Sequence, residues 1–314
     1  MSRVCLVLML FGGCAPEAAR APAPQAMEAT PTESTRTEAV APEGPLGQPG
    51  PWDEELTLGE AAFDTPGPSV IVHAPPNFDP AAPLDVVVFL HGWSGCARVL
   101  AASGQVACAD GTPTREGWGL NAVFDRSGSR ALFVVPQLAW LARDGAAGRF
   151  RERGGFDRFL TATLAALQHR LGAPGGIRRI TLLAHSAGFE TALAIVQRGG
   201  VEVNHVVLFD ALYRGVEPFL AWAGDDADRR LVSLYTGSAR TASQSRRLGA
   251  LARRQLDSDA VAMDLDAPLP EQLCGHRVVV ARGRAPHADV PARHLTEVMG
   301  GLESARSGVC SDAP

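Results

Sequence analysis

The chain has 314 residues, 46% of them hydrophobic and 20% charged, ample material for a globular core. All 29 basic residues are arginine, so Schiff-base chemistry, a Ser-Lys dyad and a P-loop lysine are excluded together. The net charge of −5 is concentrated at one end: residues 15–58 hold eight acids and two arginines, which leaves 59–314 neutral and offers nucleic acid no electrostatic footprint.

In chain order, Arg3 precedes an apolar run from Val4 to Phe11, followed by Gly12-Gly13-Cys14. A positive start, a short apolar stretch and small residues describe a secretory signal over residues 1–13, and eight apolar residues are too few to span a bilayer. Cys14 after two glycines resembles the cleavage box of bacterial lipoproteins, although Phe11 stands where that box usually has leucine. The resemblance implies an acylated Cys14 and a periplasmic or cell-surface protein held to the membrane by its lipid alone. Residues 14–55 are rich in Pro, Ala and Glu without apolar periodicity and are expected to form a disordered linker, with the folded domain spanning 56–314.

Beyond the linker, Val70–Val72 reads as a strand, and Val86–Leu90 as a strand buried on both faces. Ala131–Val135 is a third strand, stopped by Pro136. Phe156, Phe159, Leu160, Leu164, Leu167 and Leu171 recur at helical spacing up to Gly172. Ile180–Ala184 is a strand, Ala187–Val196 a helix, and Val206–Phe209, Leu231–Tyr235 and Val278–Ala281 are further strands. A last helix runs from Pro291 to Met299. This alternation predicts an α/β fold, with a mostly parallel central sheet and helices on both faces. Sites in such sheets gather at the carboxyl ends of the strands.

Four cysteines follow the linker: Cys96, Cys108, Cys274 and Cys310. An even count in an exported chain suggests disulfides, and the sequence-local pairing is Cys96–Cys108 with Cys274–Cys310. Neither His-Glu-x-x-His nor Cys-x-x-Cys occurs, so neither a metal nor a cofactor is expected.

Ala184-His185-Ser186-Ala187-Gly188 joins a strand directly to a helix, which is the sequence pattern of a nucleophile elbow, with alanine at its usual first glycine. Upstream, the strand Val86–Leu90 ends in His91-Gly92-Trp93. Downstream, the last strand leads through a polar loop to His287. Together, over roughly residues 68–302, these features resemble the α/β-hydrolase family. The resemblance implies Ser186 as nucleophile, His287 as its base, and the backbone N–H groups of Trp93 and Ala187 as an oxyanion hole. It favours His287 over His276, His294 and His185, the last expected to point away. The family's commonest position for the acid, after Leu231–Tyr235, holds Thr236-Gly237-Ser238 instead. Asp210, directly after Val206–Phe209, satisfies the order Ser, Asp, His, with Asp257 and Asp259 as rivals. The side chain of His91 is read as structural.

The implied activity is cleavage of a carboxylic ester, small or polymeric. A cell-wall amidase and a non-catalytic surface lipoprotein of the same fold are the alternatives. Trp93, Trp118, Trp140 and Phe150 lie in segments leaving strand ends, where they either line the cleft or pack the loops down.

Overall fold

The computed structural model describes residues 47–172, 175–263 and 269–307. The expected signal, Cys14, most of the linker and Cys310 lie outside the described residues. Eleven strands and nine α-helices occur among those described. In chain order they are β1 (Trp52–Leu56), β2 (Val70–Ala74), β3 (Leu84–Leu90), α1 (Ala97–Ala101), β4 (Ser103–Ala107), β5 (Thr114–Trp118), α2 (Leu120–Asp125), β6 (Leu132–Pro136), α3 (Gly155–Ala166), α4 (Gln168–Leu171), β7 (Ile177–His185), α5 (Phe189–Arg198), β8 (His205–Phe209), α6 (Val216–Gly224), β9 (Arg230–Tyr235), α7 (Ala239–Gln255), β10 (Val261–Met263), α8 (Leu269–Gly275), β11 (Val278–Arg282) and α9 (Val290–Ser307).

Nine strands form one sheet in the order β1-β2-β6-β3-β7-β8-β9-β11-β10. The pairs β1/β2 and β2/β6 are antiparallel. Every other pair is parallel. The period-2 geometry of the strands sorts their residues onto two faces. Val86, Val88, Leu182, Leu208 and Val280 join one core with helices α3, α5, α6 and α7. Their chain neighbours Val87, Phe89, Leu183, Val207 and Val279 join a second core with α1, α2 and α9. Burial on both faces explains why these strands read as unbroken apolar runs.

Two departures from the sequence expectation stand out. The ordered domain reaches back past Leu56, because β1, most of which falls in the expected linker, pairs with β2. Its acids Asp53, Glu54 and Glu55 sit on an edge strand, where charge is tolerated, and Trp52 is the residue that anchors it against Phe78. Between α1 and α2, β4 and β5 form a separate antiparallel hairpin where only a pocket rim was expected. A disulfide from Cys96, just before α1, to Cys108, just after β4, ties the hairpin's turn to the start of that helix, with Cα atoms 5.8 Å apart. Cys274 is also disulfide-bonded.

Candidate active site

The parallel register sets the carboxyl ends of β3, β7 and β8 side by side, with β9 and β11 beyond. The strand β7 ends at His185, and the chain turns at once through Ser186 into a helical turn and then α5. The turn is tight enough to demand small neighbours. A Cβ on Gly188 would collide with the Leu90 carbonyl oxygen, and one on Gly92 would lie 2.8 Å from Ser186 Cβ. Ala184, in register with Leu90, is fully buried. Ser186 itself has φ +54°. A non-glycine residue held there stores about 1–3 kcal/mol of strain, which the packing around it must offset.

Asp210 follows β8 at φ +45°, a second strained position. Its side chain is completely buried. His287 lies in the loop after β11. The three side chains meet: His287 Nε2 is 3.0 Å from Ser186 Oγ, and His287 Nδ1 is 2.6 Å from Asp210 Oδ2. A carboxylate can only accept, so Nδ1–H donates to Asp210, and Nε2 is left to accept from the serine hydroxyl. Neither Asp257 nor Asp259 takes that place beside His287.

Burial opposes charge on Asp210, and hydrogen bonds overcome it. His287 Nδ1–H, the Thr236 hydroxyl at 2.6 Å, the Thr241 hydroxyl at 2.5 Å and the Thr236 N–H at 3.1 Å all donate to its carboxylate, and its pKa falls to about 2. Thr236 stands directly after β9, at the position the resemblance gives as commonest for the acid. With the acid one strand over on β8, that position supplies donors to it instead.

The histidines divide by role. His91 is structural: Nδ1–H donates to Gly92 O at 2.9 Å, and Nε2 accepts from the Leu138 N–H at 3.0 Å. Burial pushes it down to about 4, so it is neutral. His185 does not point away, as expected, but towards the site. Its Nε2–H donates to the His287 carbonyl at 2.9 Å, and its ring packs on His287, with centroids 4.7 Å apart. On its other side Trp118, at the end of β5, meets it edge to face at 5.4 Å. His276 bonds the Gln272 carbonyl and His294 pairs with Glu297, both away from Ser186.

A cavity of about 690 Å³ opens over Ser186 and His287, lined also by Trp93, Ala187, Phe189, Glu190, Tyr213, Arg214 and Arg240. The two residues expected to supply oxyanion donors, Trp93 and Ala187, are both on its wall. The following loop is tied down, because Ser94 N–H donates to Ala142 O at 2.7 Å and Arg115 of β5 donates to Ser94 O at 2.9 Å. Of the four candidate aromatic residues only Trp93 lines the cavity, with 59% of its surface exposed. Phe150 is buried against Phe156 and Phe159, and Trp118 and Trp140 pack around the Cys96–Cys108 bridge. Tyr213 was not anticipated. It follows Asp210 by three residues, its hydroxyl interacts with Ser186, and burial raises its pKa, which keeps it a phenol.

Among the described residues no cluster of His, Cys, Asp and Glu is suited to hold a metal ion, and no helix is long and apolar enough to cross a membrane.

No family model and no curated protein matches the sequence. Solved structures do match. A ferulic acid esterase superposes with a TM-score of 0.51 at 15% identity, over 82% of this chain and 98% of that one. The chain has the α/β-hydrolase fold. Among the other matches are a fluorophosphonate-binding serine hydrolase of Staphylococcus aureus (TM-score 0.46, 10% identity, 82% of this chain and 99% of that one) and an esterase from Thermogutta terrifontis (TM-score 0.46, 11% identity, 85% and 97%). Ser186, Asp210 and His287 lie at or just beyond the carboxyl ends of parallel strands, where sites gather in such sheets.

Proposed function

We propose that this chain is an exported serine hydrolase that cleaves carboxylic esters through an acyl-enzyme on Ser186. The observation that carries the reading is the unbroken hydrogen-bonded line from Ser186 Oγ through His287 to a buried, ionised Asp210, at 3.0 and 2.6 Å. Its strained elbow opens onto a cavity. A structural serine would need neither the strain nor the line.

In the proposed reaction, Ser186 Oγ attacks the ester carbonyl carbon as its proton passes to His287 Nε2. The carbonyl oxygen becomes an oxyanion, held by the N–H groups of Trp93 and Ala187. Collapse expels the alcohol, which takes the proton from His287. Water then attacks the acyl-enzyme, with its proton going to His287, and the acid leaves as Ser186 is restored. Asp210 keeps Nδ1 protonated and stabilises the imidazolium formed in each step.

The secretory start and Cys14 support export, and the Cys96–Cys108 bridge fits an oxidising compartment. We read the protein as a periplasmic or cell-surface lipoprotein, residues 1–13 being its signal.

Turnover of short-chain p-nitrophenyl esters tests the activity. The wild type should hydrolyse them, and Ser186→Ala should lower kcat roughly a million-fold. Equal rates from the two proteins would overturn the reading.

A further inference from the structure

One wall of the cavity over Ser186 is not used by ester cleavage itself. It is formed by Phe189, Glu190, Tyr213, Arg214 and Arg240. The charge of Arg214 is answered, because it pairs with Glu190 at 2.9 Å, and its guanidinium lies 5.8 Å from the centre of the Phe189 ring. Arg240 is different. Among the described residues it has no ion pair, yet it shares the cavity with the nucleophile and acts electrostatically on the Tyr213 phenol.

Arg240 is exposed, and its place at a helix start gives the helix no reason to carry a positive charge there. It is the second residue of α7, a 17-residue helix with no acid in its first turn. Helix N-termini carry partial positive charge and favour acids, so an arginine there works against the helix. The Asp210 carboxylate cannot answer it, because that group is fully buried and its oxygens are taken by His287, Thr236 and Thr241. The part of the chain holding the cavity, residues 59–314, is neutral overall, so the excess positive charge is local. The exposed Trp93 lines the same cavity and offers an apolar surface.

We propose that Arg240 recognises an anionic group on the substrate, and that the protein's substrates are esters bearing a carboxylate separated from the scissile bond by an apolar spacer. The inference rests on the hydrolase reading above and specifies its substrate. Arginine suits the task because its planar guanidinium can donate two parallel hydrogen bonds to one carboxylate. The apolar spacer would lie against Trp93.

The test compares p-nitrophenyl hydrogen suberate with its methyl-capped counterpart, which has the same chain and no charge. The wild type should favour the free acid in kcat/KM, and the preference should shrink as salt is raised. Arg240→Gln should cut the ratio of acid to capped ester by about tenfold or more, the loss of one charged hydrogen bond. Arg240→Glu should invert the ratio, and Arg240→Lys should restore part of it. Wild-type protein that shows no charge preference, or a ratio that Arg240→Gln leaves unmoved, would overturn the inference. A fluorophosphonate probe run in parallel separates the two levels. If Ser186 is labelled and the capped ester is cleaved without charge preference, this inference alone fails. If Ser186 is not labelled, the hydrolase reading fails and takes the inference with it.

Discussion

His185, the residue before Ser186, donates from Nε2 to the backbone carbonyl of His287 at 2.9 Å. The loop that carries His287 is therefore pinned to the strand that leads into Ser186. Burial, then the nearness of His287, pushes His185 down to about 4, so it acts as a neutral donor. Under the proposed reaction it positions His287.

His185→Ala should thus lower kcat roughly tenfold, the equivalent of one hydrogen bond, while leaving KM near its original value. Glutamine can place an amide N–H near the same point, and His185→Gln should recover part of the rate. The kinetic split decides it: a variant that raises KM alone, or an equal loss in alanine and glutamine, would contradict a positioning role.

Asp210→Asn should lower kcat on the order of ten-thousand-fold, because an amide does not hold Nδ1 protonated. Thr236→Val removes one donor from the same carboxylate, and should raise the Asp210 pKa from about 2 towards its ordinary value. A carboxylate with a depressed pKa contributes stability that is present above its unfolded value and lost as pH falls through its folded one. Acid unfolding of Thr236→Val should therefore begin at higher pH than that of the wild type, which a pH series of circular dichroism spectra would measure.

The Cys96–Cys108 bridge reaches the site through Trp118, which packs on the disulfide at one side and on His185 at the other. Its hairpin also holds the loop after Trp93 through Arg115. Closing so short a loop is worth about 3 kcal/mol in the chain-entropy model. The paired Cys96→Ser and Cys108→Ser variant should lose activity while far-ultraviolet circular dichroism stays native, because the hairpin lies outside the nine-stranded sheet. Full activity in that variant, or simultaneous loss of sheet and activity, would argue against this route.

Buried histidines set the expected pH profile of stability. His91 and His185 are pushed down to about 4 and His205 to about 3, in each case chiefly by burial. Between those values and about 6.5 the unfolded chain binds more protons, so stability should fall as pH drops below about 6.5. His73 has the opposite sign. Burial resists its charge, but hydrogen bonds from both ring nitrogens to Asp53 at 2.8 Å and Asp125 at 2.7 Å outweigh this, and its pKa is raised. Its contribution is complete below about 6.5 and is lost as pH rises through the raised value. Urea midpoints should therefore peak near pH 6.5, and His73→Gln should flatten the alkaline side. A midpoint that climbs steadily from pH 6 to 9 in the wild type would contradict this.

The sequence made the fold legible where burial is two-sided. Val86–Leu90 and Val206–Phe209 are apolar throughout because helices cover both faces of the sheet. It hid β1, an edge strand that carries three acids in a row, and the β4–β5 hairpin, where Ser103-Gly104-Gln105 carries no alternating apolar signal. Ser186, His287 and Asp210 could be proposed from order along the chain. Thr236, His185 and Tyr213 could not, because their roles depend on which strand ends become neighbours. The register that pairs Phe209 with Leu234 sets Asp210 beside Thr236, and no local pattern states that register. One signal was present for Tyr213: it is one of two tyrosines in the chain and lies three residues after the acid.

The central claim is that Ser186 is the nucleophile, and the most direct measurement is the site of attachment of a fluorophosphonate. Intact mass should show one adduct per chain, peptide mapping should place it on Ser186, and Ser186→Ala should take up none. His287→Ala should label far more slowly than the wild type, since the hydroxyl would lack its base at 3.0 Å. An adduct on any other residue, or hydrolysis of esters by wild-type protein that the probe neither modifies nor inhibits, would contradict the account.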